Sequence, residues 1–194
     1  MRFLHWVAAV VLFLQLPIPL YWLILHPQIE FWRRHTRAAY LVGGLLSWAA
    51  VAAFLFAFRQ QLFAAERAPG WAIASGFALL GADGYILYRV KRELGGARLV
   101  GKTELSGGGE LATQGLYARV RHPRYTGMMA AVAGACLLAG SLLLWVVAAV
   151  WCLLALLAIV LEERELRTRF GAAYLEYSRR VPRFLPFRFW PRDN

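Results

Sequence analysis

Residues 142–161 read LLLWVVAAVWCLLALLAIVL, an unbroken run of apolar side chains. About 20 such residues form a helix long enough to cross the hydrocarbon core of a bilayer. The whole chain has 194 residues, of which 60% are hydrophobic, and a soluble domain of that size could not cover so much apolar surface. The run therefore predicts an all-α integral membrane protein.

Further apolar runs on the N-terminal side extend this prediction to five membrane helices. The predicted spans are residues 3–25, 38–58, 71–88, 123–139 and 142–161. Pro17 and Pro19 should kink or break the first span. A cleaved signal peptide is the competing interpretation of that run, but its length and the lack of a small-x-small cleavage site favour a retained helix. The last two spans are joined at Gly140 and form a tight hairpin whose first arm begins at Pro123.

The charges between the spans predict an orientation. All but three of the 22 arginine and lysine residues fall on the side that holds the long loop and the C-terminal tail; the exceptions are Arg2, Arg59 and Arg67. The positive-inside rule places the N-terminus outside and the tail in the cytoplasm, as in a bacterial inner-membrane protein. Because the basic residues lie between and after apolar runs, we do not expect nucleic-acid binding. We expect one domain, with three spans in residues 1–88, a loop in 89–124, the hairpin in 125–161 and the tail in 162–194.

The loop that precedes the hairpin reads GLYARVRHPRYTG over residues 115–127. Pro123 suits the first turn of a helix, and the free N–H groups and dipole of that turn attract anions. Arg121, His122 and Arg124 add positive charge, and the loop also contributes tyrosine rings. This pattern predicts an aromatic anion-binding corner, although basic residues and tyrosines also serve as simple interfacial anchors.

Two adjacent acids, Glu162 and Glu163, follow the longest apolar run. The C-terminal end of a membrane helix carries partial negative charge, so this pair needs a cation. Arg164 and Arg167 could supply it locally, or a ligand could supply an ammonium group or a pair of ribose hydroxyls.

Asp83, Cys136 and Cys152 lie inside apolar runs. A carboxylate is expensive in lipid, so Asp83 should face the bundle or water, with a structural hydrogen bond favoured over a functional role. The cysteines are expected to be buried small hydrophobes, and no spacing predicts a disulfide or a metal site.

Two motifs together resemble a known family. The first is Gly115-x-Tyr117 with Arg121-His122-Pro123-x-Tyr125-x-Gly127, and the second runs from Glu162-Glu163 through Phe170-Gly171, Tyr174, Tyr177 and Val181-Pro182 to Pro186. In this order, across a short apolar hairpin, they resemble the isoprenylcysteine carboxyl methyltransferase family, part of a broader group that includes phospholipid N-methyltransferases. The resemblance covers residues 115–186.

The resemblance implies a helical membrane enzyme that binds S-adenosylmethionine between the hairpin, the loop and the tail, and methylates a lipophilic acceptor. The cofactor residues that it implies are Gly115, Leu116, Tyr117, His122, Pro123, Tyr125, Gly127, Glu162, Glu163, Tyr174 and Tyr177, with no metal. Arg121 would meet an acceptor carboxylate. Eukaryotic members have basic residues where this chain has apolar residues 156–161, which leaves phospholipid amines and thiols open as acceptors beside a prenylcysteine carboxylate.

Sterol reductases are the nearest alternative, because these NADPH-dependent membrane enzymes have a similar Arg-His-Pro-x-Tyr element. They typically have Asn before the tyrosine and Phe-Gly-Glu after it, whereas this chain has Arg124 and residues TGM at 126–128. A non-catalytic membrane scaffold is a third possibility. Cofactor binding separates the three.

Overall fold

The computed structural model describes residues 3–64, 68–96, 102–106 and 109–184. Within these ranges the chain is helical and contains no strand, which confirms the all-α prediction. The α-helices are α1 (Phe3–Gln15), α2 (Pro17–Leu25), α3 (Ile29–Arg34), α4 (Thr36–Ala38), α5 (Leu45–Ala57), α6 (Arg59–Leu62), α7 (Gly70–Leu94), α8 (Lys102–Leu105), α9 (Pro123–Ala139), α10 (Leu142–Phe170) and α11 (Ala172–Arg180). Single turns of 3-10 helix cover His26–Gln28 and Gly115–Ala118, and Ala39–Gly44 forms a π-helical turn.

Four helical stretches of the described chain are long and apolar enough to cross a membrane. They are Phe3–Arg34, Thr36–Ala57, Gly70–Leu94 and Leu142–Phe170. The fifth predicted span, α9, has 17 residues and begins at Pro123, as the sequence indicated. The count of five spans stays a prediction. Residues 185–194 of the predicted tail, and Arg2 and Arg67 of the orientation argument, lie outside the described residues.

The helices on either side of the predicted links are longer than expected. The proposed link over residues 26–37 is mostly helical, and the helical stretch that begins at Phe3 ends only at Arg34. At the break expected before Pro17, Leu16 keeps α-helical backbone angles. The third span ends at Leu94 rather than at residue 88. Its extension is polar, and Arg89 pairs with Glu93 one turn later at 2.9 Å, so helix propagates beyond the apolar run.

The C-terminal hairpin forms as predicted. Gly140 lies in the left-handed region (φ 66°) and donates its N–H to the Cys136 carbonyl, which closes α9 in a tight turn. The second arm continues past the apolar run and ends at Phe170. A break at Gly171 (φ 51°) then separates it from α11.

Helix α9 is the central element of the bundle, because most of its side chains are buried and it packs against α7, α1 and α10. The approach to α7 is closest where two glycines meet. A methyl group added at Gly134 would lie 2.8 Å from the Gly76 carbonyl oxygen, which is backbone and cannot move aside. Small residues thus allow two membrane helices to touch through their backbones.

This contact predicts opposite effects for two glycine-to-alanine substitutions. Gly134→Ala should lower the free energy of unfolding by about 1–3 kcal/mol, because the new methyl group overpacks the α7–α9 contact. Gly81→Ala, on the open side of α7, should be neutral or stabilising by up to about 1 kcal/mol, because alanine is the better helix former. Unfolding of both variants in detergent measures the difference. Equal stabilities would contradict the close contact.

Candidate active site

An open cavity lies where the loop before α9, the end of α10, helix α11 and the end of α2 converge. The structure brings seven of the twelve predicted site residues to its wall: Tyr117, Arg121, His122, Tyr125, Glu162, Tyr174 and Tyr177. The other lining residues are Trp22, His26, Leu94, Leu111, Ala112, Arg124 and Leu166. The two sequence motifs therefore meet around one space.

The loop and the tail are joined by backbone hydrogen bonds. Arg121 N–H donates to the Pro182 carbonyl at 2.8 Å, and His122 N–H donates to the Arg183 carbonyl at 3.0 Å. The Tyr177 hydroxyl donates to the Tyr117 carbonyl at 2.7 Å. These bonds explain how residues about 60 positions apart form one wall.

Glu163 contacts several side chains of this wall from behind and does not line the cavity. Its side chain is 2% exposed, and its oxygens lie 2.8 Å from Arg121 Nη2, 2.7 Å from Arg183 Nη2 and 3.2 Å from His122 Nε2. The acid pair does need a cation, as expected, but Arg121 and Arg183 supply it to Glu163. Arg167 is more distant, at 3.9 Å. Glu163 was predicted to bind the cofactor, yet it does not line the cavity and its oxygens are already occupied.

Arg121 is fixed on both ends of its guanidinium. Its Nε and Nη2 donate to Glu163, and its Nη1 donates to the carbonyl oxygens of Ser178 and Val181 at 2.6 and 2.7 Å. The side chain reaches the cavity wall, but these contacts hold the loop against the tail. An acceptor carboxylate would have to compete with them.

Glu162 turns towards the cavity. Its side chain is 32% exposed, and one of its oxygens lies 3.8 Å from His122 Nδ1. Of the two adjacent acids, this one can meet a ligand cation.

The predicted glycines and their neighbours serve other contacts. Gly115 (φ 58°) lies so close to Glu93 that a methyl group there would be 2.3 Å from the carboxylate, and Leu116 N–H donates to the same carboxylate at 2.9 Å. Gly127 allows close approach of Asp83. Pro123 is buried at the first turn of α9. The cavity is not lined by any of these four predicted residues, which are Gly115, Leu116, Pro123 and Gly127. The two glycines instead allow close contact with the carboxylates of Glu93 and Asp83.

Buried tyrosines supply most of the aromatic surface. The hydroxyl groups of Tyr125 and Tyr174 are buried without a hydrogen-bond partner among the described residues, and both side chains line the cavity. Burial raises the pKa of Tyr177 to about 12, so its phenol stays neutral. Burial also raises the pKa of Tyr174, with a further contribution from the charge of Glu163. Neutral phenols can donate hydrogen bonds to a ligand.

The cavity residues from the first helices carry only a weak signal in the sequence. Trp22 and His26 reach the cavity from the end of α2, with their rings stacked at 5.1 Å and an interplanar angle of 23°. An aromatic residue and a histidine four positions apart on a helix are a weak signal, because anchors at the membrane surface show the same spacing. Leu94, Leu111 and Leu166 are apolar, and no chemistry marks them in the sequence.

Asp83 belongs to a polar cluster behind the cavity. It forms an ion pair with Arg124 and accepts a hydrogen bond from Gln15 Nε2 at 3.1 Å, while Arg124 Nη2 donates to Gln15 Oε1 at 3.1 Å. The three residues come from α7, α9 and α1. The predicted structural hydrogen bond of Asp83 is confirmed, and Arg124, which also lines the cavity, is its main partner.

The matched part of the chain includes α7, the loop, α9 and α10. A family model described as phospholipid methyltransferase matches residues 71–173, more than half of the chain. No curated protein and no solved structure matches the chain. The match includes the loop motif and both acids and ends just before Tyr174, so most of the cavity's polar wall falls inside it. The chain therefore belongs to the phospholipid methyltransferase family.

Proposed function

We propose that this membrane methyltransferase uses S-adenosylmethionine and transfers the methyl group to a lipophilic acceptor. The observation that carries the proposal is the cavity in which both motifs meet, lined by an acid, by aromatic rings and by two tyrosines whose buried hydroxyl groups have no partner among the described residues. The narrower likeness to isoprenylcysteine carboxyl methyltransferases supports the same cofactor. No feature of the described chain favours NADPH.

The residues of the cavity fit this cofactor. The cavity has a volume of about 130 Å³ and an open mouth, so a molecule of the cofactor's size would extend from the cavity into the mouth. Tyr125 and Tyr174 have buried hydroxyl groups without partners, and such groups are stabilised when a ligand completes their hydrogen bonds. The Glu162 carboxylate can hold an ammonium group or a pair of ribose hydroxyls. The positive end of α9 suits a carboxylate.

When bound, S-adenosylmethionine supplies a methyl group on a positively charged sulfonium. Transfer is an in-line displacement, so the protein mainly has to align the acceptor and keep water out. The rings of Tyr117, Tyr174 and Trp22 and the leucines of the wall give the cavity an apolar surface that limits the access of water. Glu162, at the cavity surface, balances positive charge.

The residues of the wall also limit the chemical class of methyl acceptor that the cavity suits. Leu94, Leu111 and Leu166 give the cavity an apolar side, which suits a lipid chain. Because the Arg121 guanidinium is held by Glu163 and by two carbonyl groups, it is poorly placed as a clamp for a prenylcysteine carboxylate. We therefore rank phospholipid amines and thiols ahead of that acceptor. The charge distribution of the chain supports a cavity that opens to the cytoplasm.

Calorimetric titration of the purified protein in detergent tests the cofactor. We expect S-adenosylmethionine to bind in the micromolar range and NADPH not to bind. Glu162→Gln should weaken binding by about tenfold, the effect of losing one charge-assisted hydrogen bond. Glu176→Gln is the matched control, because Glu176 is 69% exposed and away from the cavity. Binding of NADPH without S-adenosylmethionine would reverse the assignment.

A further inference from the structure

His26 lines the cavity from a part of the chain that the family match does not cover. It is 8% exposed, and neither ring nitrogen has a hydrogen-bond partner among the described residues. A buried imidazole without a hydrogen bond costs free energy, so a purely structural role would leave the cost without compensation. The structural alternative is that the His26 ring only packs against Trp22.

A carboxylate lies directly behind the ring. Glu165 Oε2 is 3.8 Å from His26 Nδ1, and Glu165 does not line the cavity. Its other oxygen accepts a hydrogen bond from Arg33 at 2.5 Å, and Arg169 lies at 4.0 Å. Arg33, Glu165 and Arg169 are thus the charged groups that surround this side of His26 from α3 and α10.

The ring is therefore held on two sides. Trp22 stacks on its face at 5.1 Å, and the Glu165 carboxylate lies 3.8 Å from Nδ1, while Nε2 is buried and has no hydrogen-bond partner among the described residues. A base backed by a carboxylate that orients it is the usual arrangement for proton abstraction, and such contacts are commonly long before the substrate binds.

We propose that His26 is the general base of the methyl transfer and that Glu165 orients its ring. The attacking atom of the acceptor forms a bond to the methyl carbon, while the carbon–sulfur bond breaks and its electron pair stays on sulfur. The proton on the attacking atom passes to Nε2 of His26 and later to water. The positive charge lost by the sulfonium is thereby carried by the imidazolium, next to Glu165.

This inference rests on the proposed function and narrows the chemical class of the methyl acceptor. A carboxylate attacks without losing a proton, whereas an ammonium group or a thiol must lose one. A base in the cavity therefore indicates an acceptor whose attacking nitrogen or sulfur carries a proton. Amine and thiol acceptors both carry such a proton, and the experiment separates these two classes.

The test uses the full chain in detergent micelles with methyl-labelled S-adenosylmethionine. The acceptor probes are phosphatidylethanolamine, dodecanethiol and N-acetyl-S-farnesylcysteine, which offer an amine, a thiol and a carboxylate. We expect methylation of the amine or the thiol, and His26→Gln should lower kcat by about 100-fold or more. The loss should shrink by about tenfold per pH unit as the acceptor deprotonates in solution. Glu165→Gln should lower kcat less.

Controls separate a base from a structural residue. Cofactor affinity of His26→Gln should stay within about twofold of wild type, because the base acts on the acceptor. His26→Phe keeps the stack on Trp22 and should lose activity equally. His35→Gln alters an exposed histidine outside the cavity and should leave activity unchanged.

Two results would overturn the assignment of His26 while leaving the methyltransferase intact. One is methylation of the farnesylcysteine carboxylate alone. The other is unchanged kcat in a folded His26→Gln variant at every pH. Failure of the wild-type protein to bind S-adenosylmethionine would instead overturn the proposed function, and the base assignment with it.

Discussion

Replacing Glu163 by alanine is expected to lower the free energy of unfolding by about 3–5 kcal/mol and to remove measurable S-adenosylmethionine binding. The carboxylate is almost fully buried and contacts Arg121, His122 and Arg183 at 2.7 to 3.2 Å. Without it, the Arg121 guanidinium loses its counterion and one of its anchors in the wall. Because Arg121 joins the loop to the tail, the wall of the cavity should open.

Unfolding in detergent and calorimetric titration together measure this effect. Glu176→Gln removes an exposed partner of Arg180 and should change stability by less than about 0.5 kcal/mol. In Glu163→Ala the stability and the cofactor affinity should fall together, since Glu163 acts through the wall. Loss of affinity at full stability would instead make Glu163 a direct cofactor ligand.

Replacing Asp83 by asparagine should also destabilise the protein by about 3–5 kcal/mol. Asp83 is 7% exposed and is the acid that faces Arg124 within the bundle of α1, α7 and α9. The substitution keeps the shape and one hydrogen bond to Gln15 but leaves the arginine charge with an amide partner. The Arg124 side chain is only 20% exposed, so most of its charge would stay buried in the bundle without a counterion.

A double-mutant cycle with Arg124→Gln isolates the pair. If the penalty comes from the lone charge, the double variant should be more stable than Asp83→Asn alone, with a coupling of about 1–3 kcal/mol. Additive losses would show that Asp83 stabilises the fold without Arg124. The readout is stability alone, because Arg124 lines the cavity.

The apolar parts of the fold were predictable, and the polar helices were not. The hairpin was predicted from the apolar run over residues 142–161 and the turn at Gly140, and its first residue was predicted from Pro123. The extension of α7 to Leu94 has no hydropathy signal. It depends on pairs such as Arg89 and Glu93, whose contribution of a few tenths of a kcal/mol is too small to predict a boundary.

The two motifs that form the site could be predicted from the sequence, but the arrangement of their side chains could not. Adjacent residues on a helix point about 100° apart, so Glu162 and Glu163 face different directions, and the sequence does not say which of them lines the cavity. The glycines at 115 and 127 were expected to admit a ligand, yet they admit Glu93 and Asp83. His26 reaches the site through packing of α2 on α10, a contact between residues about 140 positions apart that leaves no local pattern.

The hydrogen bonds from Arg121 and His122 to the carbonyl oxygens of Pro182 and Arg183 also make the cavity depend on residues far from its other walls. A variant truncated after residue 178 would keep α1 to α10 but lose both acceptor carbonyls and the Arg183 partner of Glu163. Such a truncation should therefore leave the helical bundle in place and disrupt the wall between the loop and the tail.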